Sequence, residues 1–276
     1  MTTMHDDLQA AQRGDRAAFE RLFAEHIPTL RGVLRRMVGH PDDVDELAQQ
    51  AQLQAFESIA AFRGDARPAT WLCAIGTRLA IDHLRRRERW RERAQVIYAA
   101  SCLESEALAA DIGAAFGDEA YRYDVREHIA YCFTCVGRTL EPEAQAALVL
   151  RDVLELSNDE AAKALDLSRS VFRHQLAAAR ETMQRVYDGL CALVSKRGIC
   201  WQCAGLRDAS PPERRGPPAP ATLTWPERLR TVREANLDRG TARALHDVFF
   251  RHTEVQEREG RVASRETTLC GHPSDE

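Results

Sequence analysis

The chain has 276 residues, which is enough for two domains of ordinary size with a hydrophobic core in each. Its formal net charge of −4 conceals an uneven distribution, because an acidic segment at 42–46 precedes an arginine-rich run at 85–93. No apolar run approaches the roughly 20 residues of a membrane-spanning helix, and the N-terminus lacks the basic and apolar parts of a secretion signal. These features exclude a membrane protein and a disulfide-stapled module, and they predict a cytoplasmic protein with reduced cysteines.

The first forty residues or so predict helices and no strands. Apolar side chains recur there at helical intervals between residues 4 and 39. After a turn at 39–41, a further helix is expected to begin behind Asp42 and Asp43, whose carboxylates suit the positive end of a helix dipole. The polar residues of this helix lie off its apolar stripe: Asp45, Glu46, Gln49 and Gln50. This acidic, amide-rich face is either a solvated surface or a docking surface.

The next helix combines an apolar beginning with a basic end. It follows a turn at 63–65 and carries a buried stripe in which Trp71 and Leu72 are followed at three- and four-residue spacing by Ile75 and Leu79. The segment from 85 to 93 holds six arginines, two glutamates and Trp90. Guanidinium groups suit phosphates and an indole ring can stack on a base, so this end favours nucleic-acid binding. The alternative is a solvated helix end that leads into a linker.

The second half of the chain is again predicted to be helical. Between about 94 and 117 the residues are small and the pattern irregular, which indicates a domain boundary. Helices are expected from Val125 to Gly137 and from Glu141 to Leu154. In the following segment Ser157 and Glu160 have the spacing of a capping box, Asp166 stands at a turn, and Ser168 caps a longer helix.

These signals together predict a helix-turn-helix between residues 156 and 183. Leu167, Phe172 and Leu176 are expected to point to the core. The remaining residues form an outward face on the second helix: Arg169, Ser170, Arg173, His174 and Ala177. A basic, polar face at the N-terminus of that helix suits the major groove of DNA, whereas the alternative is a helical hairpin with a solvated face.

Three segments resemble bacterial sigma factors of the extracytoplasmic-function (group 4) type. They are DDVDELAQQAQLQAF at 42–56, FRGDARPATWLCAIGTRLAIDHLRRR at 62–87 and AALVLRDVLELSNDEAAKALDLSRSVFRHQLAAAR at 146–180. The resemblance implies an all-α, non-enzymatic protein in which region 2 and region 4 are joined by a linker. The implied partners are core RNA polymerase and promoter DNA, and an anti-sigma factor is a further candidate.

The resemblance also implies roles for particular residues. The helix from Asp43 would dock on core RNA polymerase through Asp43, Asp45, Glu46, Gln49, Gln50 and Leu53. The basic helix would open and read the −10 element through Trp71, Arg78, Asp82, Arg85, Arg86 and Arg87. The second helix of the helix-turn-helix would read the −35 element with its outward face. Gln50, Gln52, Thr77 and Arg78 depart from the family pattern, so polymerase affinity and the base preference at the −10 element are not carried over.

Two pairs of cysteines flank the helix-turn-helix. Cys132 and Cys135 precede it, and Cys200 and Cys203 follow it. Because zinc favours four soft ligands in a tetrahedron, the two pairs predict a structural zinc site, with Cys191 and His128 as reserve ligands. Redox-active thiols and ordinary buried cysteines are the alternatives.

The last part of the chain lies outside the resemblance. Six prolines between 210 and 226 predict a stiff, exposed connector, and two amphipathic helices are expected beyond it, on either side of Gly240. Such short helices must dock on another part of the protein, where they would modulate access to polymerase or promoter or act as a stabilising appendage.

The predicted organisation has five parts. They are region 2 at 1–95, a linker at 96–117, region 4 with the cysteine pairs at 118–205, a proline-rich connector at 206–226 and a helical extension with a disordered tail at 227–276. The sequence favours a sigma factor. The rivals are a helix-turn-helix regulator that acts without polymerase and a metal or redox sensor.

Overall fold

The computed structural model describes residues 4–87, 106–191 and 207–258, with 209, 219, 221, 222, 236, 238 and 239 left out of the last range. Within these ranges the protein is all-α and contains no β-strand; Tyr123 and Arg215 form one isolated bridge. None of the helices in the described ranges has the length and apolar character needed to cross a bilayer.

Five helices form an N-terminal bundle. They are α1 (Met4–Gln12), α2 (Arg16–Phe23), α3 (Ile27–Met37), α4 (Pro41–Ser58) and α5 (Pro68–Arg87). The N-terminus of α4 lies two residues before Asp43, where the helix was expected to begin: Pro41 is the first helical residue, and the His40 ring accepts a hydrogen bond from the Asp42 amide. Helix α5 packs closely on α3 at Gly76, where a methyl group would collide with Leu30.

The predicted linker contains a helix, which corrects the expectation of irregular structure. Helix α6 (Glu106–Gly117) is rich in alanine and has little amphipathic pattern, which is why periodicity did not reveal it. Its neighbour in space is the helix at Arg243–Arg258, the last of the described residues, where His252 contacts Asp111 at 2.7 Å.

Four helices form the helix-turn-helix unit. They are α7 (Val125–Gly137), α8 (Pro142–Leu148), α9 (Asn158–Ala164) and α10 (Arg169–Leu190). The expected helix from Glu141 to Leu154 is shorter, because a π-helical turn at Val149–Val153 replaces its end. The capping box is present, with the Ser157 amide 2.9 Å from the Glu160 carboxylate and the Glu160 amide 3.2 Å from the Ser157 hydroxyl. Asp166 adopts the predicted left-handed turn, with φ of 57°.

The C-terminal extension (207–258) contains the two predicted helices, α11 (Trp225–Glu234) and α12 (Arg243–Arg258). The connector before them is not exposed throughout, which corrects the prediction. Ser210 is buried with its hydroxyl 3.1 Å from that of Tyr121, and the Arg214 carbonyl accepts a hydrogen bond from the Tyr123 amide at 3.0 Å. The proline-rich segment is therefore held against the start of the helix-turn-helix unit.

The N-terminal bundle, the helix-turn-helix unit and the extension share one hydrophobic core. A continuous cluster of buried side chains runs from Leu34 through Leu148 to Val232. Polar contacts cross the same seam: the Gln145 amide donates to the carbonyls of Arg36 and Met37 at 3.0 and 3.1 Å. The two predicted domains therefore pack directly against each other.

Two buried arginines of α3 have partners in the extension. Arg35 is fully buried and pairs with Asp247 of α12 at 2.9 Å. Arg36 donates to the Val232 and Ala235 carbonyls at the end of α11, at 2.5 and 3.1 Å. A buried guanidinium without such partners is strongly destabilising, so the extension is required for the observed packing of α3.

Two histidines lie buried together where α7 meets α12. The rings of His128 and His246 are 5.1 Å apart, and His246 stacks on Tyr131 with centroids 3.9 Å apart. Burial lowers the pKa of His128 to about 4. Burial, with a smaller contribution from His128, holds the pKa of His246 well below its ordinary value. Both rings are therefore neutral in the folded protein near pH 7.

Lowering the pH from about 7.5 to about 5 is expected to destabilise the contact between α7 and α12. Because both pKa values are depressed in the folded state, the unfolded chain binds protons first as the pH falls through about 6.5, and stability declines from there. Thermal unfolding should show a lower midpoint at pH 5, with a smaller decrease in a His246→Phe variant. An equal decrease in that variant would contradict this assignment.

Candidate functional site

The predicted outward face of α10 lies on the surface. All five of its residues are exposed and line one open depression: Arg169, Ser170, Arg173, His174 and Ala177. Phe172 and Leu176 are buried on the other side of the helix. The Ser168 hydroxyl caps the helix by accepting a hydrogen bond from the Val171 amide at 3.3 Å. The first two turns of α10 therefore present two guanidinium groups and an imidazole to solvent.

Val171 is a further exposed side chain at the start of α10, beside the predicted outward face and outside the depression that its five residues line. It is 46% exposed because it precedes the buried Phe172 by one residue, which turns it about 100° away from the core. An exposed apolar side chain on such a helix is suited to contact a thymine methyl group. Helical phase would have identified Val171, whereas hydrophobicity alone did not.

A second basic surface borders the outward face of α10 (Arg169, Ser170, Arg173, His174 and Ala177), which is called the recognition face from here on. Arg151, Asn158, Arg173 and Arg180 line one groove between the π-helical turn and α10. The Arg151 guanidinium is 3.2 Å from the Asn158 side-chain oxygen, whereas Arg180 is held by Asp152 at 2.5 Å. Arg151 and Asn158 were not among the predicted residues, because they belong to segments whose pattern indicated only packing and capping.

The basic face of α5 is partly covered by the helix-turn-helix unit. Arg78, Asp82, Arg85 and Arg86 are exposed, and the side chain of Arg87 lies outside the described residues, as does the segment with Trp90. Arg85 forms an ion pair with Glu143 of α8 and lies 4.0 Å from Asp82. The Glu143 carboxylate of the helix-turn-helix unit thus occupies Arg85, one of the arginines predicted to contact phosphates.

Trp71 contributes to the core of the N-terminal bundle, whereas its contact with the −10 element stays a prediction. Its ring centroid lies 4.9 Å from that of Phe62 and 5.8 Å from that of Phe23, and only part of the side chain is accessible. The apolar stripe of α5 predicted this packing, and the contacts with Phe62 and Phe23 fix the position of the Trp71 ring.

The exposed side of α4 carries a stripe of acidic and amide residues around one leucine. Glu46, Gln49 and Leu53 follow one another at helical spacing, and Leu53 is 58% exposed. Gln50 is half-buried and donates to the Glu46 carboxylate at 2.8 Å, and Asp45 pairs with Arg31 at 2.5 Å. A single exposed leucine is ordinary on a surface helix, so the docking role of this stripe stays a prediction.

Asp43 is not part of that surface, which corrects the predicted docking set. It is only 5% exposed, and its carboxylate is 3.1 Å from Nε2 of His83 in α5. The first turn of α4 packs against α5, so the carboxylate that was expected to face a partner instead joins two helices of the bundle.

The described cysteines do not form a metal cluster by themselves. Cys132 and Cys135 lie half-buried on α7 and Cys191 is buried at the end of α10, and none of the three takes part in a disulfide bond. In the described ranges, no three potential ligands are grouped so that they could hold a metal ion. Cys200 and Cys203 lie outside the described residues, so the tetrathiolate zinc site stays a prediction. His128, a reserve ligand, is buried beside His246.

Family models match both halves of the chain. The model of sigma-70 region 2 matches residues 22–90, and that of sigma-70 region 4 matches residues 133–183. The chain belongs to the sigma-70 family. Extracytoplasmic-function factors are among its relatives. In this sigma factor the exposed faces of α4 and α5 lie within region 2, and the recognition face of α10 lies in the last part of region 4.

Similar proteins span most of the two regions. The chain is 27% identical over 194 residues to the RNA polymerase sigma-H factor of Pseudomonas aeruginosa, covering 69% of this chain and 98% of that protein. It is 23% identical over 192 residues to the sigma-E factor of Haemophilus influenzae, covering 64% of this chain and 91% of that one. Over 79 residues it is 37% identical to SigM of Mycobacterium tuberculosis, covering 29% of this chain and 40% of the relative.

Two solved structures are similar to this sigma factor at low identity. One is CnrH in complex with the cytosolic domain of CnrY, at 21% identity and a TM-score of 0.45, covering 66% of this chain and 95% of that one. The other is RpoE in complex with the anti-sigma factor NepR from Bartonella quintana, at 15% identity and a TM-score of 0.43, covering 62% and 96%.

Replacing Arg173 with alanine is expected to weaken binding to a duplex that carries the −35 element. Loss of a base-reading guanidinium costs about 1–3 kcal/mol, or roughly tenfold to a hundredfold in Kd, and relaxes sequence preference. Titration of labelled duplexes with Arg173→Ala and the control Arg185→Ala, an exposed arginine farther along α10, measures this. Equal losses in both variants would indicate phosphate attraction without base reading.

Proposed function

We propose that this sigma factor reads the −10 element with α5 and the −35 element with α10 while α4 holds core RNA polymerase. The observation that carries this proposal is the joint presence of region 2 and region 4 in one chain, with the recognition face of α10 open to solvent. As a sigma factor, the protein directs promoter-specific initiation and is not an enzyme. Cytoplasmic location, where its polymerase partner acts, is part of the proposal.

The α4 stripe has the chemistry of a polymerase-docking surface. Leu53 supplies the apolar centre that a binding site needs, and Glu46, Gln49 and Gln50 supply the polar rim. Asp45 is half-buried and its carboxylate is already held by Arg31, so it has a smaller share in binding than Glu46. Asp43 acts indirectly, because its contact with His83 holds α4 against α5.

Promoter reading is divided between duplex and single-stranded DNA. Arg169, Arg173 and His174 supply donors for base edges and phosphates in the major groove, and Ala177 supplies an apolar contact. On α5, Arg78, Arg85 and Arg86 supply phosphate contacts to the melted strand, with the Asp82 carboxylate as an acceptor for base amino groups.

Reconstituted transcription tests the proposed function directly. Purified protein and core RNA polymerase are mixed with a library of promoter fragments, and promoter-dependent transcripts are sequenced. Initiation that requires both components supports a sigma factor, and footprints over the −10 and −35 elements support the division between α5 and α10. DNA binding without initiation would favour the rival helix-turn-helix regulator.

Replacing Leu53 with aspartate is expected to weaken core polymerase binding by more than about tenfold, because central apolar residues dominate such interfaces. Gln54→Asp is the matched control, since Gln54 is also exposed but lies about 100° around α4. Gel filtration and fluorescence anisotropy with core polymerase measure the effect. If Gln54→Asp were as defective as Leu53→Asp, the binding surface would have been placed on the wrong side of α4.

An inhibitory partner is a second component of the proposal. Both solved relatives were determined in complexes with CnrY or NepR, the latter named as an anti-sigma factor. The α4 stripe is exposed in this chain, so a protein that covers it would block polymerase.

The extension is proposed to restrict access to the promoter-binding surfaces. It holds α3 through Arg35 and Arg36 and reaches the first turn of α4, where Arg251 lies 3.6 Å from Asp42. In this packed arrangement Arg85 is occupied by Glu143 of region 4. Release of the extension would allow regions 2 and 4 to separate and bind two promoter elements at the same time.

Replacing Asp247 with asparagine is expected to release the extension and increase initiation. Removing one partner of a buried pair costs about 3–5 kcal/mol, because the Arg35 guanidinium stays buried but loses the Asp247 carboxylate charge. The control is Arg251→Ala, whose exposed ion pair contributes less than about 1 kcal/mol. Hydrogen exchange of α11 and α12 reports docking, and single-round transcription reports activity. Released helices with unchanged transcription would assign the extension a purely stabilising role.

A further inference from the structure

Two grooves on the surface of region 4 meet at Arg180. The first is the groove already described, which runs from Arg173 of the recognition face past Arg151 to Arg180. The second lies between α10 and the extension and is lined by Arg180, Trp225, Pro226, Leu229 and Arg233. Because Arg180 belongs to both, a continuous row of guanidinium groups leads from the recognition face to α11. This row, formed by Arg173, Arg151, Arg180 and Arg233, is called the basic track from here on.

One residue of the π-helical turn positions the two arginines at the far end of the basic track. The Asp152 carboxylate accepts hydrogen bonds from Arg180 at 2.5 and 2.8 Å, and the Asp152 carbonyl accepts one from Arg233 at 3.1 Å. The side chains of Arg180 and Arg233 are still 39% and 31% exposed. A guanidinium group carries five N–H donors, so Asp152 occupies only part of them and fixes the direction of the others.

The wall that α11 adds to the second groove is anchored on region 4. The ring centroid of Trp225 lies 6.3 Å from that of Tyr187 and 6.4 Å from that of Phe133. One turn further along, the guanidinium carbon of Arg228 lies 3.6 Å above the Tyr187 ring. Arg233 is therefore held in place before a ligand arrives, and binding costs less conformational entropy than it would on a free chain end.

The spacing of the basic track suits a row of phosphates. Arg173 and Arg180 are seven residues apart on α10, or about 10.5 Å along its axis, and Arg233 extends the row beyond Arg180. A DNA strand carries one phosphate about every 3.4 Å along the helix axis, so several phosphates fit within this length. Glu155 competes for Arg233 at 3.6 Å, but its carboxylate is 66% exposed, and such a pair is weak enough for a phosphate to displace it.

We propose that the extension takes part in DNA binding, with Arg233 of α11 and Arg180 of α10 contacting the sugar–phosphate backbone of the duplex beside the −35 element. The inference rests on the proposed reading of that element by α10. It adds a contact from a helix that lies outside both matched sigma regions. Backbone contacts fix the register and orientation of a protein on a duplex without reading its sequence. In its docked position the extension therefore increases the affinity of region 4 for duplex DNA.

Continuity with the recognition face favours duplex DNA over an acidic protein as the ligand of the basic track. A duplex that lies against Arg173 continues past the end of the recognition face, and the next cations that it meets on α10 and α11 are those of Arg180 and Arg233. Both proposed contacts are available in the packed protein, because the recognition face and the second groove are open at the same time.

Titration of the full-length protein with two labelled duplexes tests the contact. One duplex carries a promoter fragment that extends roughly one helical turn on either side of the −35 element, and the other has the same length with that element scrambled. Arg233→Ala should weaken binding to both by about fivefold to tenfold at about 0.1 M salt, and should reduce the slope of log affinity against log salt by about 0.9, as expected for one lost phosphate contact.

The matched control is Arg230→Ala, which removes the same charge from the same helix at an exposed position outside the lining of the groove. It should change affinity by less than about twofold, as expected for a charge that makes no direct contact. Equal losses in Arg230→Ala and Arg233→Ala, or an unchanged salt slope in Arg233→Ala, would overturn the proposal.

Two further variants separate DNA contact from the docking of α11. Arg233→Lys keeps the cation and should retain most of the affinity and the full salt slope. Glu155→Gln leaves the hydrogen bond between Arg233 and the Asp152 carbonyl in place but removes the competing carboxylate, so it should increase affinity for both duplexes. Unchanged or lower affinity in Glu155→Gln would count against a phosphate at Arg233.

Neutralising single phosphates locates the contact on the duplex. Phosphates beside the −35 element are replaced one at a time by uncharged methylphosphonates. With wild type, substitution at one or two positions should weaken binding by about the same factor as Arg233→Ala, and the same substitutions should have little effect on Arg233→Ala itself. Equal losses for both proteins at every position would overturn the contact and leave the groove to an acidic protein partner.

The scrambled duplex keeps this test independent of the proposed function. Failure of the protein to support promoter-dependent initiation would refute the proposed function. The responses of Arg233→Ala and Glu155→Gln on the scrambled duplex would still decide the backbone contact, because that contact does not depend on the base sequence.

Discussion

The packing of this sigma factor depends on two adjacent guanidinium groups that α3 cannot satisfy by itself. Arg35 and Arg36 are buried in region 2, and their partners lie about two hundred residues later in α11 and α12. Burying a guanidinium group without acceptors is costly, so these contacts stabilise region 2 and the extension as one unit. The contact also explains why the extension contributes Val232 and Phe250 to a core that begins in the N-terminal bundle.

The surfaces with proposed functions differ in how far the packing of the protein leaves them exposed. The recognition face of α10 and the stripe of α4 remain exposed, whereas the basic face of α5 is partly occupied by Glu143 of region 4. DNA recognition by α10 and docking by α4 thus require no rearrangement at their own surfaces. Phosphate binding by Arg85 requires an ion pair within the protein to break.

Local structure was predictable wherever neighbouring residues determine it. The capping box of Ser157 and Glu160, the left-handed turn at Asp166 and the two helices of the extension all follow from short-range chemistry. Helix α6 was missed because an alanine-rich helix has little amphipathic pattern. The π-helical turn at Val149–Val153 was missed because it keeps the helical spacing of apolar residues while changing the hydrogen bonds.

The sequence by itself determined the all-α class, the positions of most helices and the outward face of α10, because helical periodicity separates core residues from exposed ones. Only the tertiary structure decided that Asp43 is buried against His83, that Trp71 packs in an aromatic core and that Arg35 of α3 pairs with Asp247 of α12. These outcomes depend on which helix lies opposite each residue, and contacts between residues far apart in the chain leave no periodic signal in the sequence.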